Sequence, residues 1–143
     1  MYSDISIWGP HYWFFIHSIA FNYPKNPNSI TKKKYYDFFY NLPLFIPDLE
    51  ISNKFIKLLK TWPLSPYLDS RDNLLKWTHF IHNKVNNEIN KKTISFSEFI
   101  EKYKNIIDKD NISKKELKKK KINFAFLFIL GLLILLAVSI FKF

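Results

Sequence analysis

The chain has 143 residues, enough for one domain and a tail, and carries 15 Phe, 8 Tyr and 4 Trp against only 2 Gly, a composition that fits a helical protein with few special turns. It contains no Cys, which excludes a disulfide framework and any thiolate chemistry carried by this polypeptide alone. The formal net charge is +10, but half of the excess falls in residues 109–121, where seven Lys stand against two acids, so a general nucleic-acid surface is not expected.

Residues 1–9 show no charged stretch followed by an apolar core, so no secretory signal is expected. Pro10 suits the first turn of a helix running to about Asn22. Tyr12, Ile16, Ile19 and Tyr23 form one stripe on it, and Trp13, His17 and Ala20 a second, so the helix is expected to be largely buried. His17 reads either as a satisfied core histidine or as a ligand-holding one. Tyr23 to Asn28, with two Pro and two Asn, is a turn. Ser29 or Thr31 can cap a second helix to about Leu42, apolar at Tyr35, Phe38, Phe39 and Leu42, with Tyr36 and Tyr40 adding aromatic surface and Pro43 stopping it. Asp48 is a good N-cap for a third helix with Ile51, Phe55, Leu58 and Trp62 in one stripe, ended by Pro63 and Pro66.

A fourth helix is expected over about residues 70–90. Ser70 sits at its N-cap, and Leu74, Thr78, Ile81, Val85 and Ile89 recur at helical spacing to give one buried face. Beside that face lie Trp77, His82, Asn83, Asn86 and Lys91. The i,i+3 and i,i+4 spacings of His82, Asn83 and Asn86 put them on one side. A ring, an imidazole and two amides can cradle a flat polar cofactor, or form a solvated face with a Trp dipping into the core. The spacing of His79 and His82 can hold a metal, but without Cys or a placed carboxylate no metal site is expected. Asn90 tolerates a left-handed conformation after the helix end. Ser95-x-x-Glu98 resembles a capping box opening a short fifth helix, apolar at Phe96, Phe99, Ile100, Tyr103 and Ile106 or Ile107.

The fold class expected is therefore all-α: a four-helix bundle plus a short fifth helix over residues 1–107, then a Lys-rich linker over 108–121. Residues 122–141 carry no charge. Twenty helical residues at about 1.5 Å each span roughly 30 Å, a bilayer core, so this stretch is expected to be one C-terminal transmembrane helix. The lysines before it put the N-terminal domain on the cytosolic face, as a tail-anchored single-pass protein.

Two motifs add a resemblance. Ser70-Arg71-x-x-Leu74-x-x-Trp77-x-x-x-x-His82-Asn83-x-Val85-Asn86 is similar to a block of the Erv/ALR family of FAD-linked sulfhydryl oxidases. Trp8-Gly9-x-x-x-Trp13-x-x-x-His17-x-x-Ala20, then Tyr23-Pro24-x-x-Pro27, resembles that family's first helix and the turn after it, in the family's order and at about its spacing. The resemblance covers roughly residues 5–105. It implies FAD as cofactor, with Trp8, Gly9, Trp13, His17, Trp77, His82, Asn83, Val85, Asn86, Lys91 and Tyr103 as cofactor-binding positions. Lys91 would lie near the flavin phosphates, and Phe96 or Tyr103 over the adenine. It implies a homodimer or heterodimer through the first two helices. The Lys- and Asn-rich composition fits an AT-rich genome, and large DNA viruses carry members of this family, some membrane-anchored, so a viral or virion membrane is expected.

One segment departs from the family. Where the family has Pro-Cys-x-x-Cys-x-x-x-Phe, this chain has Pro47-Asp48-x-x-Ile51-x-x-x-Phe55. Sulfhydryl oxidation needs a thiolate that exchanges through a mixed disulfide, and a carboxylate and an aliphatic side chain cannot do so. The expectation is a non-catalytic, membrane-tethered homologue that still binds FAD and acts in assembly or partner binding. The alternative is a FAD-dependent oxidoreductase working with a thiol partner or another electron donor.

Overall fold

The computed structural model describes the backbone of residues 4–141 and the side chains of 4–106 and 116–129. Among the described residues the chain is all helical, with five α-helices and two short 3-10 turns. Helix α1 spans Ile5–Phe21, α2 Ser29–Asn41, α3 Leu49–Thr61, α4 Arg71–Glu88 and α5 Phe96–Phe141; the 3-10 turns are Leu42–Phe45 and Ser65–Tyr67. By contacts the chain divides into two compact units, Met1–Phe99 and Ile100–Phe143.

In the first unit α1 and α3 both pack against α4. The stripe expected on α4 is buried at Leu74, Thr78, Ile81 and Val85, joined by Leu75, Trp77 and Asn86. From the other helices come Ile16, Ala20, Phe39, Leu42 and Phe55, all with almost no exposed surface. The two sequence blocks meet at one corner of this core. The Tyr23 hydroxyl, fully buried, donates to the Leu68 carbonyl at 2.8 Å, and the Arg71 guanidinium donates back to the Tyr23 carbonyl. Those bonds tie the turn after α1 to the start of α4, and burial pushes the Tyr23 phenol upward.

The helix ends differ in detail from expectation. α1 begins at Ile5 because the Asp4 carboxylate accepts the Ser6 N–H at 2.8 Å, leaving Pro10 inside the helix rather than in its first turn. α2 is capped by Asn28, whose side chain accepts the Thr31 N–H at 2.8 Å, not by Ser29 or Thr31. Past Asn41 the chain tightens into the Leu42–Phe45 turn, where Pro43 sits at the start and the Pro43 carbonyl takes the Ser52 hydroxyl at 2.7 Å. Trp62 does not extend the buried stripe of α3. It is that helix's C-cap and is 40% exposed.

The fifth helix is not short. α5 runs for 46 residues without a break and takes in the segment expected to be a polar linker. Between Phe96 and Leu130 there is no Pro or Gly, and Lys, Glu and Leu are good helix formers, so polarity alone does not end the helix. Its first turn is closed by the expected capping box. Glu98 accepts the Ser95 N–H at 2.7 Å, and the Ser95 hydroxyl accepts the Glu98 N–H at 3.2 Å. Among the described residues no helix is long and apolar enough to cross a membrane. The side chains beyond residue 129 of the expected span 122–141, with those of 107–115 in the expected linker, lie outside the described residues.

Candidate functional site

The site grows from α1 and α4. Trp13 and His17 stand one helical turn apart on α1, so their rings lie over one another, 5.5 Å between centroids and 21° between planes. His82 comes in from α4 and lies almost parallel to the Trp13 indole, 4.0 Å away at 9°. His17 Nε2 and His82 Nδ1 are 2.9 Å apart, so one imidazole donates to the other. His17 is fully buried. Phe99 presents its edge to His17 at 4.6 Å, and Phe55 of α3 tilts toward Trp13 at 6.4 Å. Two imidazoles thus share a hydrogen bond, flanked by an indole and two phenyl rings; Trp13 and His82 keep part of their surface, and His17 lies beneath them.

The amides of α4 do something else. Asn83 Nδ2 donates to the Ile94 carbonyl at 2.8 Å while its Oδ1 accepts the Ile94 N–H at 3.2 Å. His79 Nε2 reaches the same carbonyl at 2.8 Å, which gives that imidazole a backbone partner. Asn86, buried, offers its backbone carbonyl to the Lys91 N–H at 2.8 Å, and its side-chain amide approaches the Lys92 carbonyl at 3.5 Å. The Asn90 N–H bonds the Asn87 carbonyl at 3.3 Å. These bonds form a Schellman end with Asn90 at φ 55°, the left-handed residue expected there. Asn83 and Asn86 therefore pin the loop after α4, and Lys91 sits exposed on that loop.

Trp77 is not part of the ring cluster. It lies five residues before His82, about 140° around the helix. Its indole fills the opposite side of the core, edge-on to Phe39 at 5.5 Å, and donates to the Trp62 carbonyl at 3.1 Å. Val85 is a core residue. Gly9 is buried within α1, where a Cβ would come within 3.3 Å of Ile5 Cγ1. Trp8 packs edge-on against Tyr12 at 5.1 Å, and the Tyr12 hydroxyl donates to the Phe45 carbonyl at 2.7 Å. Tyr103 falls in the second unit, its phenol pushed up to about 12 by burial. Phe55 and Phe99 were legible only as apolar positions of their own helices. Nothing in the chain order shows that they turn toward Trp13 and His17.

The remaining site residues are Asp48 and Ile51. They touch each other, since the Asp48 carboxylate accepts the Ile51 N–H at 2.9 Å and caps α3. The positions that carry two thiols in the family are here a helix cap and an apolar side chain. The groups of the ring cluster are of the kind that stack on a flavin, and the Asp48–Ile51 pair does not fit dithiol exchange.

Comparison with known proteins gives the same picture. A family model described as the Erv1 / Alr family matches residues 10–104. A probable FAD-linked sulfhydryl oxidase of Acanthamoeba polyphaga mimivirus is 39% identical over 95 residues, 66% of this chain and 66% of the relative. The mitochondrial FAD-linked sulfhydryl oxidase erv1 of Schizosaccharomyces pombe is 32% identical over 62% of this chain and 48% of its own length. This chain thus spans about half to two thirds of those two relatives. The FAD-linked sulfhydryl oxidase of African swine fever virus (isolate Warthog/Namibia/Wart80/1980) is 33% identical over 71% of this chain and 80% of its own. In structure, the yeast Erv1 core superposes with a TM-score of 0.66 at 25% identity, covering 71% of this chain and 85% of that one. The FAD binding domain of Erv1 from Saccharomyces cerevisiae does so at the same score and identity, covering 72% and 96%.

Proposed function

Because the chain belongs to the Erv1/Alr family, we propose that it is a membrane-tethered, FAD-binding member that no longer oxidises thiols itself and serves as an assembly or binding partner. The observation that carries this reading is the Asp48–Ile51 pair, which occupies the dithiol positions and is committed to starting α3. With no Cys in the chain, no other group can take over disulfide exchange.

Trp13, His17 and His82 would hold the flat ring system of FAD, and Lys91 its phosphates. Bound FAD supplies a two-electron acceptor that oxygen can reoxidise. The chain's own contribution is to stack, to exclude water with Phe55 and Phe99, and to fix the imidazoles by the hydrogen bond between His17 Nε2 and His82 Nδ1.

The partner surface is the outer side of α1 and α2 together with the Leu42–Phe45 turn that follows α2. Phe14, Phe15, Leu44 and Phe45 are all about half exposed or more, and a cavity of about 370 Å³ opens among Tyr12, Phe15, Phe38 and Phe45. Exposed apolar, mostly aromatic side chains around such a cavity suit a second copy or a cysteine-bearing relative. The membrane tether rests on the uncharged run 122–141 and the lysines before it, which favour the cytosolic face of a cellular or virion membrane.

The persistence of the ring cluster favours a second reading, an oxidoreductase fed by a partner's thiols. One experiment separates the two. The full chain, purified in mild detergent with FAD and desalted, is read by its visible spectrum and by oxygen uptake with a small dithiol. Retained flavin without oxygen uptake, and no uptake beyond a cysteine-bearing relative's own rate when that relative is added, supports the proposal. Uptake clearly above the relative's own rate supports the oxidoreductase. A colourless but folded chain refutes both and leaves the rings a packing role.

A further inference from the structure

We infer that Lys118–Lys121 form a collar that binds anionic lipid headgroups around the whole circumference of α5, an inference that rests on the membrane reading above. All four are helical and exposed. At about 100° per residue, four consecutive positions point in four directions that together encircle the helix, and at about 1.5 Å rise they occupy a layer only about 5 Å thick. A one-sided partner, such as a protein groove or the groove of a duplex, reaches at most about half of such a ring at once. A headgroup layer surrounds an inserted helix and meets all four.

The residues that follow point the same way. Ile122, Phe124, Phe126, Leu127, Phe128 and Ile129 are each more than half exposed and spread around most of the helix, with Asn123 the one polar side chain among residues 122–129. A helix apolar all round is one that a surrounding apolar medium covers. The change from a ring of charge to mainly apolar side chains occurs within one turn, with the uncharged Asn123 at the boundary, which is how a headgroup layer meets hydrocarbon. Long Lys side chains can hold their ammonium groups at that boundary while their stems lie along the apolar side. The charge selects the headgroup: phosphatidylserine rather than phosphatidylcholine.

Each lysine near an anionic surface contributes about fivefold in association, and four of them roughly a hundredfold or more. The test delivers the full chain from dilute detergent to preformed vesicles of phosphatidylcholine alone, or of phosphatidylcholine with phosphatidylserine, and measures flotation against lipid concentration. The expected result is association with both, at a lipid concentration at least tenfold lower when phosphatidylserine is present, with the difference shrinking in high salt. The variant K118Q/K119Q/K120Q/K121Q keeps the flotation and loses the preference. Equal association of the wild type with both vesicles overturns the collar and leaves the tether standing. Failure to float with either overturns the membrane reading and the collar together. Tighter binding to a DNA duplex than to the anionic vesicles overturns the lipid assignment in favour of nucleic acid.

Discussion

Replacing Asp48 with Ala tests the claim that this residue now belongs to the fold. Its carboxylate accepts the Ile51 N–H at 2.9 Å from a half-buried position at the N-terminus of α3. Losing an N-cap side chain costs typically about 1 kcal/mol, within a range of roughly 0.5–2. Losing a negative charge at a helix N-terminus adds a few tenths of a kcal/mol. The sum of about 1–2 kcal/mol corresponds to a drop of roughly 4–12 °C in the midpoint for a unit of this size. All four Trp, at 8, 13, 62 and 77, lie in the first unit, so tryptophan fluorescence during heating reports that unit and not α5. Asp48→Ser should recover most of the loss, because its hydroxyl can take the same N–H. An Ala variant that melts with the wild type would refute the reasoning. So would a Ser variant as unstable as Ala, since the carboxylate would then act through something other than the cap.

Further outcomes follow from the same geometry. Trp77→Ala should cost about 3–5 kcal/mol in urea unfolding, because the indole is fully buried against Phe39, whereas Trp77→Phe should cost less by keeping most of the ring. Asn90→Gly should leave stability within a few tenths of a kcal/mol or raise it, and Asn90→Ala should lower it by about 1 kcal/mol, because φ there is 55°. The Ser95 hydroxyl and N–H hold the Glu98 carboxyl below its ordinary value. The stability this contributes is present above the unfolded carboxylate's pKa and is lost as pH falls through the lowered folded value. Ser95→Ala should therefore move the Glu98 titration upward in a carboxyl NMR experiment. Finally, a chain carrying both Asp48→Cys and Ile51→Cys, loaded with FAD, should consume oxygen in the presence of a small dithiol where the wild type does not.

What was legible in the sequence is local and periodic. Ser70, Asp48 and Ser95–Glu98 announce helix starts because their side chains can reach an N–H two or three residues on, and the structure makes all three bonds. The α4 stripe is legible because burial follows the helical repeat. Two kinds of feature escaped. One is competition between neighbours: Asn28 takes the cap that Ser29 and Thr31 also offered, and Asp4 starts α1 before Pro10 can. The other is the direction a side chain takes once helices pack. Trp77 belongs to the same motif as His82, yet it turns away from it. Asn83 spends its amide on the Ile94 backbone. Motif order carries the family, but it does not distinguish the residues that hold the loop from those that face the rings.

The Asp48 cap also bears on how this chain could acquire a dithiol at these positions. A single Asp48→Cys change removes a bond on which α3 depends and yields one thiol with no neighbour to form a disulfide. A single Ile51→Cys change keeps the cap but is equally inert. Each first step is neutral or harmful for activity, and the first of them is harmful for folding. The path to a dithiol therefore crosses a step without reward, and the carboxylate acts as a ratchet that favours keeping the cysteine-free form.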